Sequence, residues 1–144
     1  MQTFIPFKNI DKSFKILDRQ RLGKQRVEAI QIAYACLDIS NFQWQNHPAV
    51  KMWKGYESFL IKKYLRKAII EWKKRGYNNN KCNEHYKKLY QFVKNKKCIK
   101  PKWITNTFCK SHQSNLLRKN KTYYEKYFKL DNHNLEYIWP KGDK

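Results

Sequence analysis

The sequence predicts a mostly α-helical protein that folds as a single compact domain over residues 1–144. Three observations support this prediction. A chain of 144 residues suits one hydrophobic core. Apolar residues recur at helical spacing in two long stretches and one shorter stretch, and no stretch reads as an extended sheet. Aromatic residues make up 16% of the chain and are spread along its length, unlike the composition of a disordered basic tail.

An extended N-terminal segment and a first long helix open the predicted fold. Residues 1–6 are apolar, and Pro6 prevents an early helix. Asp11 or Ser13 can cap a helix that runs to about Leu37. Gly23 weakens this helix by about 1 kcal/mol relative to Ala. The apolar residues at helical spacing in its later half are Val27, Ile30, Tyr34 and Leu37.

A second long helix and a shorter third helix are expected next. The second begins near Pro48, which suits a first helical turn, and ends at Arg75–Gly76, where a cation and a glycine favour termination. The third spans about Asn83–Val93, and a short helical stretch follows at Gln113–Lys119. The C-terminal segment is rich in aromatic residues, namely Tyr123, Tyr124, Tyr127, Phe128, Tyr137 and Trp139.

The charge of the chain is strongly unbalanced. Lys and Arg number 32 and Asp and Glu number 11, so the formal net charge is +21. Such a domain repels itself and is expected to bind a polyanion, with duplex DNA the first candidate because phosphate contacts supply most of the affinity. An anionic membrane surface is the second candidate. An AT-rich gene would raise the lysine count, but it would not explain the scarcity of acids.

The compartment is predicted from what the sequence lacks. No signal peptide and no apolar run long enough to span a bilayer is visible, so we expect an intracellular protein that lies with DNA and not with a membrane. We also expect a monomer. In a reducing compartment the four cysteines are expected to be free thiols.

The segment from Leu17 to Glu28 holds the best candidate for chemistry. On a helix, Arg21, Lys24 and Glu28 lie on one face at spacings i, i+3 and i+7, and Gln20 borders that face. A surface that served only to hold phosphates would gain nothing from a carboxylate there. The alternative is an ordinary Lys24–Glu28 surface pair worth about 0.3–0.5 kcal/mol, and spacing alone favours that alternative.

Two other polar segments are candidate DNA contacts. His47 can contact phosphate or transfer a proton, or it can simply cap the second helix. His112 and Asn115 lie among small polar residues beside Arg118 and Lys119, a pattern that suits contacts to the DNA backbone. The alternative for this segment is a solvated basic turn.

A zinc site is a minority hypothesis. Cys82-x-x-His85 and Cys109-x-x-His112 supply two Cys and two His, although the order within each pair is unusual. The sequence has no Gly-rich phosphate loop and no cluster of carboxylates for two metals, so we predict neither a catalytic metal nor a cofactor. A metal-free route to strand cleavage uses an α-amine, whose usual pKa of about 7.7–8.0 leaves much of it neutral, assisted by a carboxylate.

Four motifs resemble one known family. They are Met-Gln-Thr-Phe at 1–4, Leu-Asp-x-x-Arg-Leu-Gly-Lys-Gln-Arg-Val-Glu at 17–28, Asn-His-Pro-Ala-Val at 46–50 and Ser-Asn-Leu-Leu-Arg-Lys at 114–119. In these motifs the chain resembles the pyrimidine dimer DNA glycosylases typified by phage endonuclease V, and most of all a divergent bacterial and viral branch. The resemblance implies a compact helical enzyme that flips a base, displaces it with its N-terminal amine and nicks the strand by β-elimination.

The resemblance also implies roles for individual residues. Glu28 falls on the family's catalytic glutamate, and Met1 or Gln2 carries the nucleophilic amine. The phage enzymes lose their first Met and expose a threonine. Here the bulk of Gln2 disfavours removal of Met1. The family flanks its glutamate with two arginines, which are Val27 and Gln31 here. The residues expected to hold DNA are Gln20, Arg21, Lys24, Arg26, His47, His112, Asn115, Arg118 and Lys119. A non-catalytic DNA-binding or packaging protein and a helical RNA-binding module remain the competing hypotheses.

Overall fold

The computed structural model describes residues 1–39, 45–129 and 134–140. Within these ranges the chain forms seven helices and no β-strand, which confirms the prediction of a mostly α fold. The helix α4 is continuous and consists of three segments: the α-helical Glu57–Phe59, the π-helical Leu60–Leu65 and the α-helical Arg66–Lys74. The others are α1 (Ile10–Ile16), α2 (Arg19–Leu37), α3 (Pro48–Trp53), α5 (Asn80–Val93), α6 (Asn106–Lys119) and α7 (Lys121–Tyr124).

The N-terminal segment forms no helix, as predicted, and it enters the core instead of lying on the surface. Phe4 and Ile5 are both buried. The cap of α1 is Asn9, whose side chain accepts a hydrogen bond from the backbone N–H of Lys12 at 3.0 Å. The predicted caps were therefore wrong: the hydroxyl of Ser13 instead donates to the carbonyl of Phe7 at 2.8 Å.

A break at Leu17 and Asp18 divides the predicted first long helix into α1 and α2, so the prediction of one uninterrupted helix was wrong. Leu17 is extended and fully buried, and Asp18 becomes the N-cap of α2. The Asp18 carboxylate binds Arg21 at 3.1 Å and accepts a hydrogen bond from the hydroxyl of Tyr124. The reason for the break is thus tertiary, because Tyr124 lies about a hundred residues further along the chain. Val27, one of the apolar residues at helical spacing in α2, is 44% exposed and lies outside the core.

Gly23 lies where the indole ring of Trp72 packs against α2. A Cβ atom at this position would come within 3.1 Å of two ring carbons of Trp72. The ring has little freedom to move away, because its Nε1 donates to the carbonyl of Asn78 at 2.9 Å and the Arg26 guanidinium lies 4.0 Å from the ring centre. The glycine therefore permits a close contact between two helices.

We expect Gly23→Ala to lower the free energy of unfolding by up to about 1 kcal/mol, although helix propensity alone predicts a gain of about 1 kcal/mol. The physical reason is the clash with Trp72. Urea unfolding of the two proteins measures the difference. A stabilised variant would show that the indole ring moves aside at no cost.

A turn at Lys54–Tyr56 interrupts the predicted second long helix, so its prediction as one continuous helix from Pro48 was wrong. Gly55 adopts a φ of 93°, a left-handed conformation that favours glycine and ends α3. The end of α4 was predicted correctly, because Gly76 follows it with a φ of 91°. Between these two glycines the helix buries Leu60, Tyr64 and Leu65.

The later helices are longer than predicted. The third helix of the prediction begins at Asn80 and not at Asn83, and the fourth begins at Asn106 and not at Gln113. Thr105 explains the earlier start of α6, because its hydroxyl accepts a hydrogen bond from the backbone N–H of Phe108 at 3.2 Å.

One hydrophobic core joins these helices. The helix α2 packs against α3, α4 and α5, and the N-terminal segment lies beside it. The largest fully buried side chains include Trp53, Tyr64, Tyr124, Phe14 and Phe108. Within the described residues, no helix has both the length and the apolar character needed to cross a membrane.

Candidate active site

A cleft lies where the N-terminal segment, the first half of α2 and the end of α6 meet. Its open space is about 350 Å³. The lining residues are Gln2, Phe4, Gln20, Arg21, Lys24, Gln25, Glu28 and Lys119. Six of these eight are residues that the sequence predicted as functional, and they come from three separate parts of the chain. The cleft therefore brings the predicted carboxylate, three predicted cations and the N-terminus together.

Glu28 is half-buried in this cleft. Its Oε2 accepts hydrogen bonds from the backbone N–H of Gln2 at 3.5 Å and from the side-chain amide of Gln25 at 3.4 Å. Burial raises the pKa of the Glu28 carboxyl, and the Gln2 amide, the N-terminal amine, Lys24 and Lys119 oppose that rise. None of the ion pairs of the described residues joins Lys24 to Glu28. The carboxylate thus faces the N-terminal backbone, and an ordinary surface pair does not account for it.

The N-terminal amine lies within electrostatic reach of both Glu28 and His47. Its charge opposes the rise in the pKa of Glu28 that burial causes. The pKa of His47 is lowered by burial, which has the larger effect, and by the charge of the amine. His47 also caps α3, because its Nδ1 accepts a hydrogen bond from the backbone N–H of Ala49 at 3.0 Å. Its ring meets that of Trp139 edge to face, with centroids 5.9 Å apart.

Gln25 connects the buried core to the carboxylate. This residue is 1% exposed, and its Oε1 accepts the backbone N–H of Phe4 at 2.9 Å and the hydroxyl of Tyr64 at 2.6 Å. Its amide donates to Glu28. Sequence analysis missed this role, although Gln25 precedes Glu28 by three residues on the same helix and that spacing places their side chains together.

A second set of contacts holds the N-terminal segment from the other side. The indole of Trp53 donates to the hydroxyl of Thr3 at 3.0 Å, and the hydroxyl of Tyr137 donates to the Thr3 carbonyl at 3.2 Å. The backbone N–H of Ile5 donates to Nδ1 of His112 at 2.9 Å. These bonds span 50, 134 and 107 positions of the sequence, so periodicity along the chain gives no signal for them.

His112 is completely buried behind the N-terminal segment and does not face the cleft. Burial lowers the pKa of its imidazole to about 3, so the ring is neutral and accepts the Ile5 amide through Nδ1. The ring stacks on Tyr137 with centroids 4.3 Å apart. The structure therefore places this residue, which the sequence predicts as a DNA contact, among the groups that position the N-terminus.

The other predicted DNA contacts lie outside the cleft lining. Arg26 is 9% exposed and donates to Oδ1 of Asn79 at 2.5 Å, and burial lowers the pKa of its guanidinium. Arg118 donates to the hydroxyl of Ser114 at 2.9 Å, and Asn115 is half-buried. Of the predicted residues on α6, Lys119 is the one that lines the cleft.

The two Cys/His pairs do not converge in the described part of the chain. No group of three or more His, Cys, Asp and Glu side chains there could hold a metal ion. Nδ1 of His85 lies 2.8 Å from the hydroxyl of Tyr34, within hydrogen-bonding distance. Nδ1 of His112 accepts a hydrogen bond from the backbone N–H of Ile5. The zinc hypothesis therefore loses its ligand set. All four cysteines are free, as predicted.

The sequence of the chain matches a known protein family. A family described as pyrimidine dimer DNA glycosylase matches residues 1–93, which is more than half of the chain. The matched residues include the N-terminal segment, Glu28 and all of α4. Neither the curated proteins nor the solved structures contain a match. The matched length shows that the chain belongs to the pyrimidine dimer DNA glycosylase family, whose members are DNA-repair glycosylases.

Proposed function

We propose that this protein removes damaged bases, pyrimidine dimers in particular, from duplex DNA and then cleaves the strand as an abasic-site lyase without a metal. The observation that carries the proposal is the position of Glu28, a carboxylate that faces the N-terminal backbone inside a cationic cleft. A protein that only bound DNA would have no use for a half-buried acid at that point. We further propose that it acts as a monomer, without a cofactor, on DNA inside the cell.

The proposed chemistry uses the N-terminal amine as the nucleophile. Its lone pair forms a bond to C1′ of the deoxyribose as the glycosidic bond breaks, and the base leaves with the electron pair of the glycosidic bond. The nitrogen then loses its proton and the sugar ring opens, which produces an imine. Loss of a proton from C2′ expels the 3′ phosphate by β-elimination, and water releases the amine. Glu28 accepts and returns protons at the amine and the ring oxygen, and its charge stabilises the cationic imine.

Either Met1 or Gln2 can supply the amine in this geometry. The backbone nitrogen of Gln2 lies 3.5 Å from Glu28 Oε2, so removal of Met1 would leave an amine directly beside the carboxylate. If Met1 is retained, the amine lies one residue further out, where its charge acts on both Glu28 and His47. The mass of the intact purified chain identifies the residue that bears it.

The cations of the cleft are proposed to hold the phosphates on either side of the flipped nucleotide. Arg21 and Lys24 lie one turn apart on α2, and Lys119 approaches from the end of α6. Gln20, an uncharged hydrogen-bonding group on the same rim, is proposed to position the DNA. Because phosphate contacts dominate the affinity, binding should weaken steeply with salt.

Borohydride trapping tests the proposal. The protein is mixed with duplexes that contain an abasic site or a cyclobutane pyrimidine dimer, and borohydride reduces any imine to a stable amine. We expect a covalent adduct whose peptide map places the DNA on the first residue. A chain with an acetylated N-terminus serves as the control and should give no adduct. Absence of an adduct with both substrates would instead support the alternative of a non-catalytic DNA-binding protein.

The rate of strand cleavage should fall on acidification at a higher pH than an ordinary glutamate would dictate. Burial raises the pKa of Glu28 above 4.5, so the carboxylate becomes protonated earlier as the pH falls. Because the nucleophilic amine must also be neutral, a single-turnover pH profile on an abasic-site duplex should show two acidic limbs, and the lower one belongs to Glu28. Glu28→Gln should lose the lower limb, and Gln20→Ala should be slower with both midpoints unchanged. A lower limb that persists in Glu28→Gln, or that has its wild-type midpoint at or below 4.5, would contradict the assignment of Glu28.

A further inference from the structure

A second cationic recess lies between α4 and α5, away from the cleft. Its open space is about 860 Å³. The lining residues are Lys62, Lys63, Arg66, Tyr86, Tyr90 and Cys98. We call this recess the tyrosine groove. It combines three cations with two aromatic rings and no carboxylate, and none of its lining residues lines the cleft that contains Glu28.

Two of the three cations of the tyrosine groove are available to a ligand. Lys63 and Arg66 are exposed, and neither takes part in an ion pair of the described residues. Lys62 has a different role, because its ammonium donates to the carbonyls of Lys94 and Lys96 at 3.3 and 2.7 Å. It thereby fixes the end of α5 against α4, which holds the two walls of the groove together.

The aromatic wall suits a flat ligand. Tyr86 and Tyr90 lie one turn apart on α5, with ring centroids 6.0 Å apart, and both are half-buried. Arg66 is close enough to Tyr86 for its charge to lower the pKa of that phenol, although burial has the larger effect and raises it. The rings and the guanidinium therefore line one continuous surface on which a base and its phosphate can both find a partner.

The helix α4 separates the groove from the cleft. Tyr64 is buried and bonds to Gln25 and Phe4 behind the cleft. Its close neighbours in sequence, Lys63 and Arg66, emerge in the groove instead. A ligand in the groove therefore meets none of the residues assigned to catalysis, and both sites can be occupied at once.

We propose that the tyrosine groove binds a segment of single-stranded DNA, with phosphates on Lys63 and Arg66 and bases stacked on Tyr86 and Tyr90. Unpaired bases have free faces that stack on aromatic side chains, and positively charged grooves track the backbone. A duplex stacks its bases internally and would leave the two rings without a partner. The proposal does not depend on the glycosylase chemistry, because it concerns binding at a separate surface.

The protein is first saturated with an unlabelled duplex that contains an abasic-site analogue. A fluorescent oligothymidylate of eight nucleotides is then added, and its anisotropy measures binding. We expect the wild type to bind the oligonucleotide in this ternary complex. Lys63→Gln with Arg66→Gln should weaken that binding about tenfold and lower the salt slope by about 1.4, since single strands contribute about 0.7 per phosphate. Tyr86→Leu with Tyr90→Leu should weaken it at least fivefold. Trapping on the abasic-site duplex should be unchanged in both.

Lys102→Gln with Lys110→Gln is the matched control, because both lysines are exposed, lie outside either recess and carry the same total charge. It should bind the oligonucleotide nearly as well as the wild type. The proposal is overturned if the duplex displaces the oligonucleotide, if the control loses as much affinity as the groove variants, or if a short duplex binds the groove as tightly as the single strand. Because Lys63 and Arg66 are exposed, their double variant should fold and report on binding alone.

Discussion

Glu28→Gln is expected to lower the single-turnover rate of strand cleavage by about 10²–10⁴-fold, the usual contribution of a positioned acid or base. The amide keeps the size of the carboxyl group, but it cannot exchange protons with the amine or offset the charge of the imine. Binding of the abasic-site duplex should be unchanged or tighter, because the variant removes a negative charge from a cationic cleft. Quench-flow cleavage and a filter-binding titration measure the two effects separately.

Glu125→Gln controls for the loss of one negative charge. Glu125 is exposed and lies just after α7, outside the cleft lining. It should cleave at the wild-type rate. Equal cleavage rates for Glu28→Gln and the wild type would contradict the catalytic role of Glu28. Absence of cleavage by both proteins would favour the hypothesis of a DNA-binding or packaging protein.

His112→Leu is expected to lower the free energy of unfolding by about 1–3 kcal/mol, the cost of leaving a buried donor without a partner. The donor is the backbone N–H of Ile5, which bonds to Nδ1 of His112 in the core. His112→Asn should be less destabilised, because its side-chain oxygen can take the place of Nδ1. Urea unfolding of the three proteins measures their free energies of unfolding. Equal stability of the leucine variant and the wild type would show that the Ile5 bond contributes nothing.

The stability of the wild type should also depend on pH through His112. Burial lowers the pKa of the imidazole from 6.5 to about 3, so the unfolded chain takes up a proton that the folded chain excludes. Stability is therefore lost as the pH falls from about 6.5 towards 3, and His112→Asn should show a weaker loss over that window. A steeper acid dependence in the variant would contradict this assignment.

The charged cleft residues on α2 could be predicted because they are close together in the sequence. Arg21, Lys24 and Glu28 share a face through the 3.6-residue repeat of one helix, and the structure keeps them together. The family match covers this part of the chain and ends at residue 93. The extension of the same domain to residue 144, and with it the role of Lys119, stays a prediction.

Two of the incorrect predictions have a cause that is distant in the sequence. The break at Asp18 depends on Tyr124, and the placement of His112 depends on Ile5. In both cases the partner lies more than a hundred positions away in the sequence, where neither periodicity nor propensity carries information. Other errors have local causes. Gly55 inside a helical pattern was a local signal for the turn that ends α3, and Thr105 was a local signal for the start of α6.

The helical fold class, the excess of positive charge and the lone acid on α2 could be predicted from the sequence, because composition and helical repeat are properties of neighbouring residues. The groups that surround that acid could not be predicted, because they come together only through packing. Gln25 and Tyr64 bind Phe4, and His112 binds Ile5, so the N-terminal segment is held with its amine near Glu28. A buried segment that forms no helix must satisfy its backbone hydrogen bonds elsewhere, and distant parts of the chain supply the partners.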